Sequence, residues 1–435
     1  MKQNKPLRLT IPDPLILALG LTILTLILSL IYGSNPRSGI AGVADVLSYW
    51  TQGFWDLLAF SMQMVLILML GYMLALSPVV DRLSSGLALL SNKPVQGAVS
   101  VAFVAVVVGL INWGLALVLG AVLVRKIAIQ AKKNGSPINY PLMGAAAYVC
   151  MMVWHGGLSG SAPLSVASAG HFLEEKTGII PLSETTFSSM NLIATAIILV
   201  LIPLATLWFA KRGKMKIPDG GISDSFDTSG NQSSVWRPTF ISISGILLLA
   251  GFIIRMAIHP GSSIGLNEIN LILFALVMIV FPKVNDLSKA TENAIGSTTG
   301  IIIQFPLYAG IMGIMQYSGL LSVMTDWFVS ISTKQTLPLF SFLSASLVNL
   351  FVPSGGGQWA VQGPLLIDVA TSIGVSHPKV VMALAYGDQL TNMLQPFWAL
   401  PLIGITGLKA GEIFRYSWRF LLIGFVVFGA VLWFF

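Results

Sequence analysis

A chain of 435 residues that is 55% hydrophobic and only 9% charged, with a mean hydropathy of +0.83, lies far from the roughly 25% charged composition of soluble domains; it reads as a polytopic membrane protein. The net charge of +7 does not point to nucleic acid, because Lys and Arg gather in short loops between apolar runs, as on the cytoplasmic side of a membrane. The single cysteine, Cys150, excludes an internal disulfide and a cysteine-held metal cluster.

The first apolar run, 15–31, follows Lys2, Lys5 and Arg8. It exceeds the roughly 7 to 15 apolar residues of a signal core, and no small-x-small cleavage site follows it. The expectation is an uncleaved helix leaving the cytoplasm, then an outer loop, 33–51, with Arg37 and Asp45. The run 55–76 returns to Asp81, Arg82 and Lys93. Run 95–124 is long for one crossing, and a single crossing would place Arg125, Lys126, Lys132 and Lys133 outside. A re-entrant hairpin turning at Asn112, Trp113 and Gly114 keeps both of its ends cytoplasmic.

The segment 141–169 then crosses outward with a break from Trp154 to Pro163, and its outer loop carries Glu174, Glu175 and Glu184. Run 192–209 comes back to Lys211, Arg212, Lys214 and Lys216. The polar stretch 211–237 reads as a flexible cytoplasmic linker. Spans 240–258 and 266–281 follow, each near the lower limit of about 17 residues.

In the second half, 295–317 goes out, and 337–367, which carries no charge, reads as a hairpin entering from outside. A polar, glycine-rich interruption from Asn349 to Trp359 breaks it. Broken backbone deep in an apolar stretch is tolerated only where protein or a water-filled cavity receives its polar groups. Segment 380–405 returns inward with a break from Asp388 to Pro396. Lys409, Arg415 and Arg419 then sit inside, and the last helix leaves Phe435 outside.

The organisation expected is an all-α polytopic protein of about nine full spans: 1–50 as first helix and outer loop, repeat 51–210, linker 211–237, connecting spans 238–282, and repeat 294–435. Asn112 and Asn349 are 237 positions apart, as are Pro141 and Pro378. Ala147-Tyr148 leads to Pro163-Leu164 as Ala385-Tyr386 leads to Pro401-Leu402. Charge brings the two hairpins in from opposite faces, so the repeats are inverted, the architecture of secondary transporters.

These residues also resemble the short-chain fatty acid transporters of the acetoacetate-uptake type. The likeness runs through Asp13-Pro14-Leu15, the stretch from Gly53 to Phe60, Pro94-Val95-Gln96-Gly97, Ile111-Asn112-Trp113-Gly114, Pro353-Ser354-Gly355-Gly356-Gly357 and the stretch from Gln395 to Pro401. The resemblance implies uptake of small monocarboxylates such as acetoacetate or butyrate through a bacterial inner membrane. It also implies kinship with the wider ion-transporter superfamily, whose members look like homodimers with a moving substrate domain.

The residues themselves suit a short carboxylate, which needs donors for its oxygens and an apolar slot for a few carbons. Half-helix N-termini supply N–H groups without a buried cation, and neither hairpin nor broken helix carries Lys or Arg within its apolar run. Candidate substrate contacts are Asn112, Trp113, Gly114, His155, Gly156, Gly157, Ser159, Ser161, Asn349, Ser354, Gly355, Gly356, Gly357, Gln358 and Gln395. The glycines and serines serve either binding or close helix packing, and Trp113, Trp154, Trp359 and Trp398 either wall the pocket or pack. Asp388, an intramembrane acid, would carry a coupling proton, join Asn392 around Na⁺, or rest satisfied by helix N–H groups. His155 is either a proton relay or a structural residue. No metal or organic cofactor is expected, and the partners are the carboxylate, membrane lipid and a second copy of the chain.

Two other classes compete. Gly157-Leu158-Ser159-Gly160 matches the Gly-x-Ser-Gly of intramembrane serine proteases, which need a base in reach of the serine. A cation or proton exchanger, or a carrier for another organic anion, would share the architecture.

Overall fold

The computed structural model describes residues 14–37, 39–88, 93–216, 238–259, 264–350 and 354–435. The expected linker lies mostly outside them, at 217–237. Among the described residues, regular structure is helical apart from an isolated antiparallel bridge between Ile138 and Lys216. Among the described residues, eight segments are long and apolar enough to cross a membrane: Leu58–Ala75, Pro94–Ile111, Trp113–Lys133, the broken Tyr140–Ala167, Ser189–Arg212, Phe240–Ile258, Thr299–Tyr317 and Ala410–Phe434. With Pro94–Ile111 and Trp113–Lys133 paired as a hairpin, and the further apolar segments Pro14–Tyr32, Leu266–Val280 and the broken 377–406 added, nine full crossings are counted.

The first hairpin consists of Pro94–Ile111 and Trp113–Lys133. Proline starts the first arm, where its missing N–H breaks no helical bond. The reversal needs one extended residue, Asn112, whose N–H donates to the Val108 carbonyl and whose Oδ1 accepts the Leu115 N–H at 2.9 Å. Trp113 and Gly114 therefore belong to the second arm and not to the turn. The second hairpin consists of Leu337–Val348 and Gly355–Ile373, and there Ser354 is the cap, accepting the Gly357 N–H at 3.3 Å. The counterpart of Asn112 is thus Ser354. Asn349 ends an arm instead of starting one, so the 237-residue spacing misaligns the hairpins, although it pairs Pro141 with Pro378 in the first turns of the two broken helices.

The first broken helix runs Tyr140–Tyr148, loosens through 3-10 turns at Val149–Met152 and Trp154–Gly156, is extended at Gly157, and resumes as Ser161–Ala167. Its break starts several residues before Trp154. The second runs His377–Thr391, turns through Asn392–Leu394, is extended at Gln395, and resumes as Pro396–Thr406. Asp388 lies inside regular helix a turn before the break, not within the unwound stretch. Proline explains the location: Pro396 has no N–H to give the Asn392 carbonyl, which accepts the Gln395 N–H at 3.0 Å and the Tyr148 hydroxyl at 2.7 Å instead.

Two contacts fix the relative direction of the repeats. The Tyr140 hydroxyl donates to the Thr406 carbonyl at 2.7 Å, so the start of one broken helix meets the end of the other. At the far side, Lys176, beyond the end of the first broken helix, pairs at 2.6 Å with Asp368, which precedes the second. The broken helices run antiparallel and the repeats are inverted. Lys93, Lys132, Lys133, Lys211, Arg212 and Lys409 consequently gather at one face of the bundle.

The expected outer loop at 33–51 is largely helix, Ile40–Asp56. A search for long apolar runs misses it because its polar residues interrupt the run. It crosses Thr299–Tyr317 backbone to backbone: a Cβ on Gly53 would stand 2.6 Å from Gly313 Cα, the close approach that small residues permit between membrane helices. Gln63, on Leu58–Ala75, donates to Asn267 Oδ1 at 2.8 Å and ties that span to Leu266–Val280.

Candidate functional site

The two hairpin tips and the two breaks converge at the centre of the bundle. The first tip is stapled to the first break: the Trp113 N–H donates to Ser159 Oγ at 3.1 Å, and the Leu158 N–H to the Leu110 carbonyl at 2.7 Å. Gly157 makes this approach possible, since a Cβ there would overlap the Leu110 carbonyl. Asn112 also donates through Nδ2 to the Ile67 carbonyl at 3.2 Å. The second tip grips the second break: Asn349 Nδ2 lies 2.6 Å from the Asp388 carbonyl and 2.8 Å from Asn392 Oδ1, and Gln395 Nε2 donates to the Asn349 carbonyl.

The breaks also hold each other. Gln389 Oε1 accepts the N–H groups of His155 and Gly156 at 3.0 and 3.1 Å. His155 Nδ1 lies 2.6 Å from Asp388 Oδ2, with both side chains wholly buried. The Ala162 N–H donates to His155 Nε2 at 3.0 Å. With Nε2 accepting, the imidazole proton is on Nδ1, so the histidine donates to Asp388 Oδ2. The carboxylate's other oxygen, Oδ1, is buried with no partner among the described residues, as are Asn349 Oδ1, Gln358 Oε1 and Gln395 Oε1.

A pair of tyrosines braces this arrangement reciprocally. Tyr148, of the first broken helix, donates to Asn392 and Gln395 carbonyls in the second break, at 2.7 and 2.8 Å. Tyr386, of the second, donates to Asn191 Oδ1 at 3.0 Å, and Asn191 Nδ2 donates to the Gly156 carbonyl in the first break at 2.8 Å. Each half supplies a hydroxyl for the other's interrupted backbone.

Gly355, Gly356 and Gly357 open a 19-residue helix against aromatic rings. A Cβ on Gly355 would stand 2.6 Å from Trp154 Cη2, and one on Gly356 2.9 Å from Phe305, with Phe60 close by. Gly357 sits against Tyr308. The N–H groups of Gly355 and Gly356 have no acceptor among the described residues, and neither Trp154 Nε1 nor the Tyr308 hydroxyl has a partner there. Phe60 and Phe305 stack with centroids 6.0 Å apart. Trp113 packs between Trp154 and Trp398, and Trp154 lies flat on His155 at 4.5 Å.

The structure brings every sequence-derived candidate into the central region. Gly114 packs on Leu68, Ser161 opens the resumed first broken helix, and Gln358 Nε2 bonds the Ala345 carbonyl at 2.8 Å. Sequence reasoning did not assign roles to Gln389, Tyr148, Tyr386 or Asn191. The tyrosines lay in the repeat-matched Ala-Tyr pairs, whereas nothing beside Asn191 marks it. A serine-protease arrangement is not assembled: Ser159 Oγ takes the Trp113 N–H, and His155 Nε2 is occupied by Ala162.

Comparison with known proteins agrees. A curated protein of Escherichia coli (strain K12), provisionally named a short-chain fatty acid transporter, is 37% identical over 428 residues, covering 96% of this chain and 95% of that one. A protein of the same provisional name from Haemophilus influenzae is 35% identical over 419 residues, covering 93% and 92%. Among solved structures, the YdaH transporter of Alcanivorax borkumensis, described as having an unusual topology, superposes with a TM-score of 0.63 at 16% identity over 97% of this chain and 98% of that one. MtrF of Neisseria gonorrhoeae, described within a class of antimetabolite efflux pumps, gives 0.63 at 15% identity over 98% and 96%; both establish a shared fold. The model of the family described as short chain fatty acid transporter matches residues 7–435, and the chain belongs to that family of membrane transporters.

Proposed function

We propose that the protein carries short-chain fatty acids or related small monocarboxylates such as acetoacetate and butyrate across the bacterial inner membrane, coupled to a cation. The observation that carries this reading is the start of the second hairpin's second arm. There the Gly355 and Gly356 N–H groups lack acceptors among the described residues, beside a wall of Phe60, Phe305 and Tyr308. A carboxylate would accept from those N–H groups at the positive end of the helix, with Trp154 Nε1 and the Tyr308 hydroxyl as further donors. Its few carbons would lie against the stacked phenylalanines, which favours short chains over long ones.

The cation would sit at Asp388 Oδ1. This carboxylate oxygen, buried and without a partner among the described residues, is a hard ligand of the kind Na⁺ takes. Basic residues gathered at one face favour that face as cytoplasmic, with the N-terminus inside and the C-terminus outside. The test is uptake of labelled butyrate or acetoacetate into proteoliposomes under a sodium or a proton gradient imposed separately. Accumulation driven by sodium supports the full reading, and a response to protons alone transfers the coupling to Asp388 protonation. No uptake and no counterflow of short carboxylates would reject the substrate.

A further inference from the structure

A cavity of about 1050 Å³ opens at the basic face, away from the central site. It lies between the end of Ser189–Arg212 and the first turns of Ala410–Phe434, on a floor that includes Tyr140 and Thr406, the meeting ends of the two broken helices. Arg212, Lys214, Lys216, Arg415 and Arg419 line it together with one carboxylate, Glu412. Glu412 is turned to its own helix, accepting the Lys409 N–H at 2.8 Å. Among the described residues, no carboxylate is within ion-pair distance of those five cations. Like charges crowded in this way repel unless an anion joins them.

The cations are held in place. Arg212 lies over the Trp208 ring at 4.4 Å, and Arg419 is 5.4 to 5.5 Å from the rings of Phe209, Tyr416 and Trp418. Stacking on ring faces leaves the edge N–H groups of a guanidinium available, and that planar fork matches two oxygens of a phosphate. The backbone bridge between Lys216 and Ile138, with N–H to carbonyl distances of 2.9 and 3.0 Å, draws the strand of Lys214 and Lys216 against the rim. On the outer side, Trp208, Trp418 and Leu422 are about half exposed, and the apolar stripe continues along the same two helices through Leu204 and Phe425. Tryptophan beside basic residues at the end of an apolar stripe belongs at a headgroup boundary.

We infer that this cavity binds the phosphodiester head group of an anionic phospholipid, with its acyl chains along the stripe of Leu204, Leu422 and Phe425. The chemistry shared with a soluble phosphate is the bidentate arginine contact. The stripe favours the lipid as its source.

The test is native mass spectrometry of the full chain purified in detergent, with phosphatidylglycerol and phosphatidylcholine added in equal amounts. The wild type should retain phosphatidylglycerol preferentially, and R212Q/R419Q should lower that retention roughly thirtyfold. K214Q/K216Q, which leaves the ring stacking intact, should give a smaller loss in the same direction and guards against misfolding of the arginine variant. Equal retention of the two lipids, or phosphatidylglycerol binding unchanged in both variants, overturns the inference. Displacement of phosphatidylglycerol by millimolar glycerol 1-phosphate would overturn the lipid assignment in favour of a soluble phosphate.

Discussion

The imidazole of His155 and the carboxylate of Asp388 meet at 2.6 Å, wholly buried, across the boundary between the two inverted repeats. Each repeat supplies one partner, and the histidine's second nitrogen is fixed by the Ala162 N–H. The carboxylate's other oxygen has no partner among the described residues and is the one proposed to hold the cation. Asp388→Asn retains an oxygen to accept the histidine N–H and removes the charge. The variant should fold and still exchange substrate across the membrane, while accumulation against a gradient is lost. Proteoliposome uptake and counterflow measured in parallel check this, and unimpaired accumulation would remove Asp388 from the coupling role.

The tyrosine braces predict a symmetric response. Tyr148→Phe takes a donor from the Gln395 carbonyl and from the Asn392 carbonyl, which keeps the Gln395 N–H, and Tyr386→Phe strands Asn191 Oδ1. Leaving a buried acceptor unsatisfied costs about 1–3 kcal/mol. Both variants should lower the thermal unfolding temperature to a similar degree, and the double variant should lower it further.

Gly355→Ala forces a methyl to within 2.6 Å of Trp154 and 2.8 Å of His155. Overpacking of this kind costs about 1–3 kcal/mol, and here it also displaces the groups proposed to face the carboxylate. Uptake should fall sharply, whereas Gly251→Ala, with nothing within 4 Å of the new methyl, should leave it unchanged. Initial rates of labelled butyrate uptake in the two variants make the comparison.

Ser159→Ala removes the acceptor of the Trp113 N–H. It should slow transport several-fold, in proportion to an unsatisfied buried donor of about 1–3 kcal/mol, without abolishing it. Complete loss with intact folding would give the hydroxyl a more direct part.

Single cysteines at Lys93 and Lys132, in a Cys150→Ala background, should both react with an impermeant maleimide from one face of the membrane, and one at Lys176 from the other. Labelling of positions 93 and 132 from opposite faces would turn the first hairpin into an ordinary crossing.

The hairpins, broken helices and inverted order were legible because lipid makes local rules strict. An apolar run too long for one span, followed by Lys132 and Lys133, admits few arrangements, and proline at 141 and 378 marks two helix starts. The position of Asp388 in regular helix was not legible. Its local sequence, Tyr386-Gly387-Asp388-Gln389, reads as a breaker, but the Gly387 Cβ position is filled by the Phe342 carbonyl and Ala345, so that glycine serves helix packing. Gln389 and Asn191 were missed for another reason: each acts on a backbone group more than thirty residues away in sequence, a relation that spacing does not carry. The helix Ile40–Asp56 escaped because its polar residues interrupt the apolar run, and its crossing partner, Gly313, lies too far along the chain for spacing to reveal the contact.

Antiparallel broken helices have an electrical consequence. At the midplane each break presents one carbonyl end and one N–H end, so the two fields largely cancel instead of adding. A carboxylate accompanied by one monovalent cation would then be an uncharged load, and its net transfer moves no charge. Shifting a lone charge across 100 mV involves about 2.3 kcal/mol, and this pair would avoid that work in either direction. A one-to-one carrier of this design would reach the same accumulation ratio whether or not the membrane is energised by voltage, set by the concentrations of its two passengers alone.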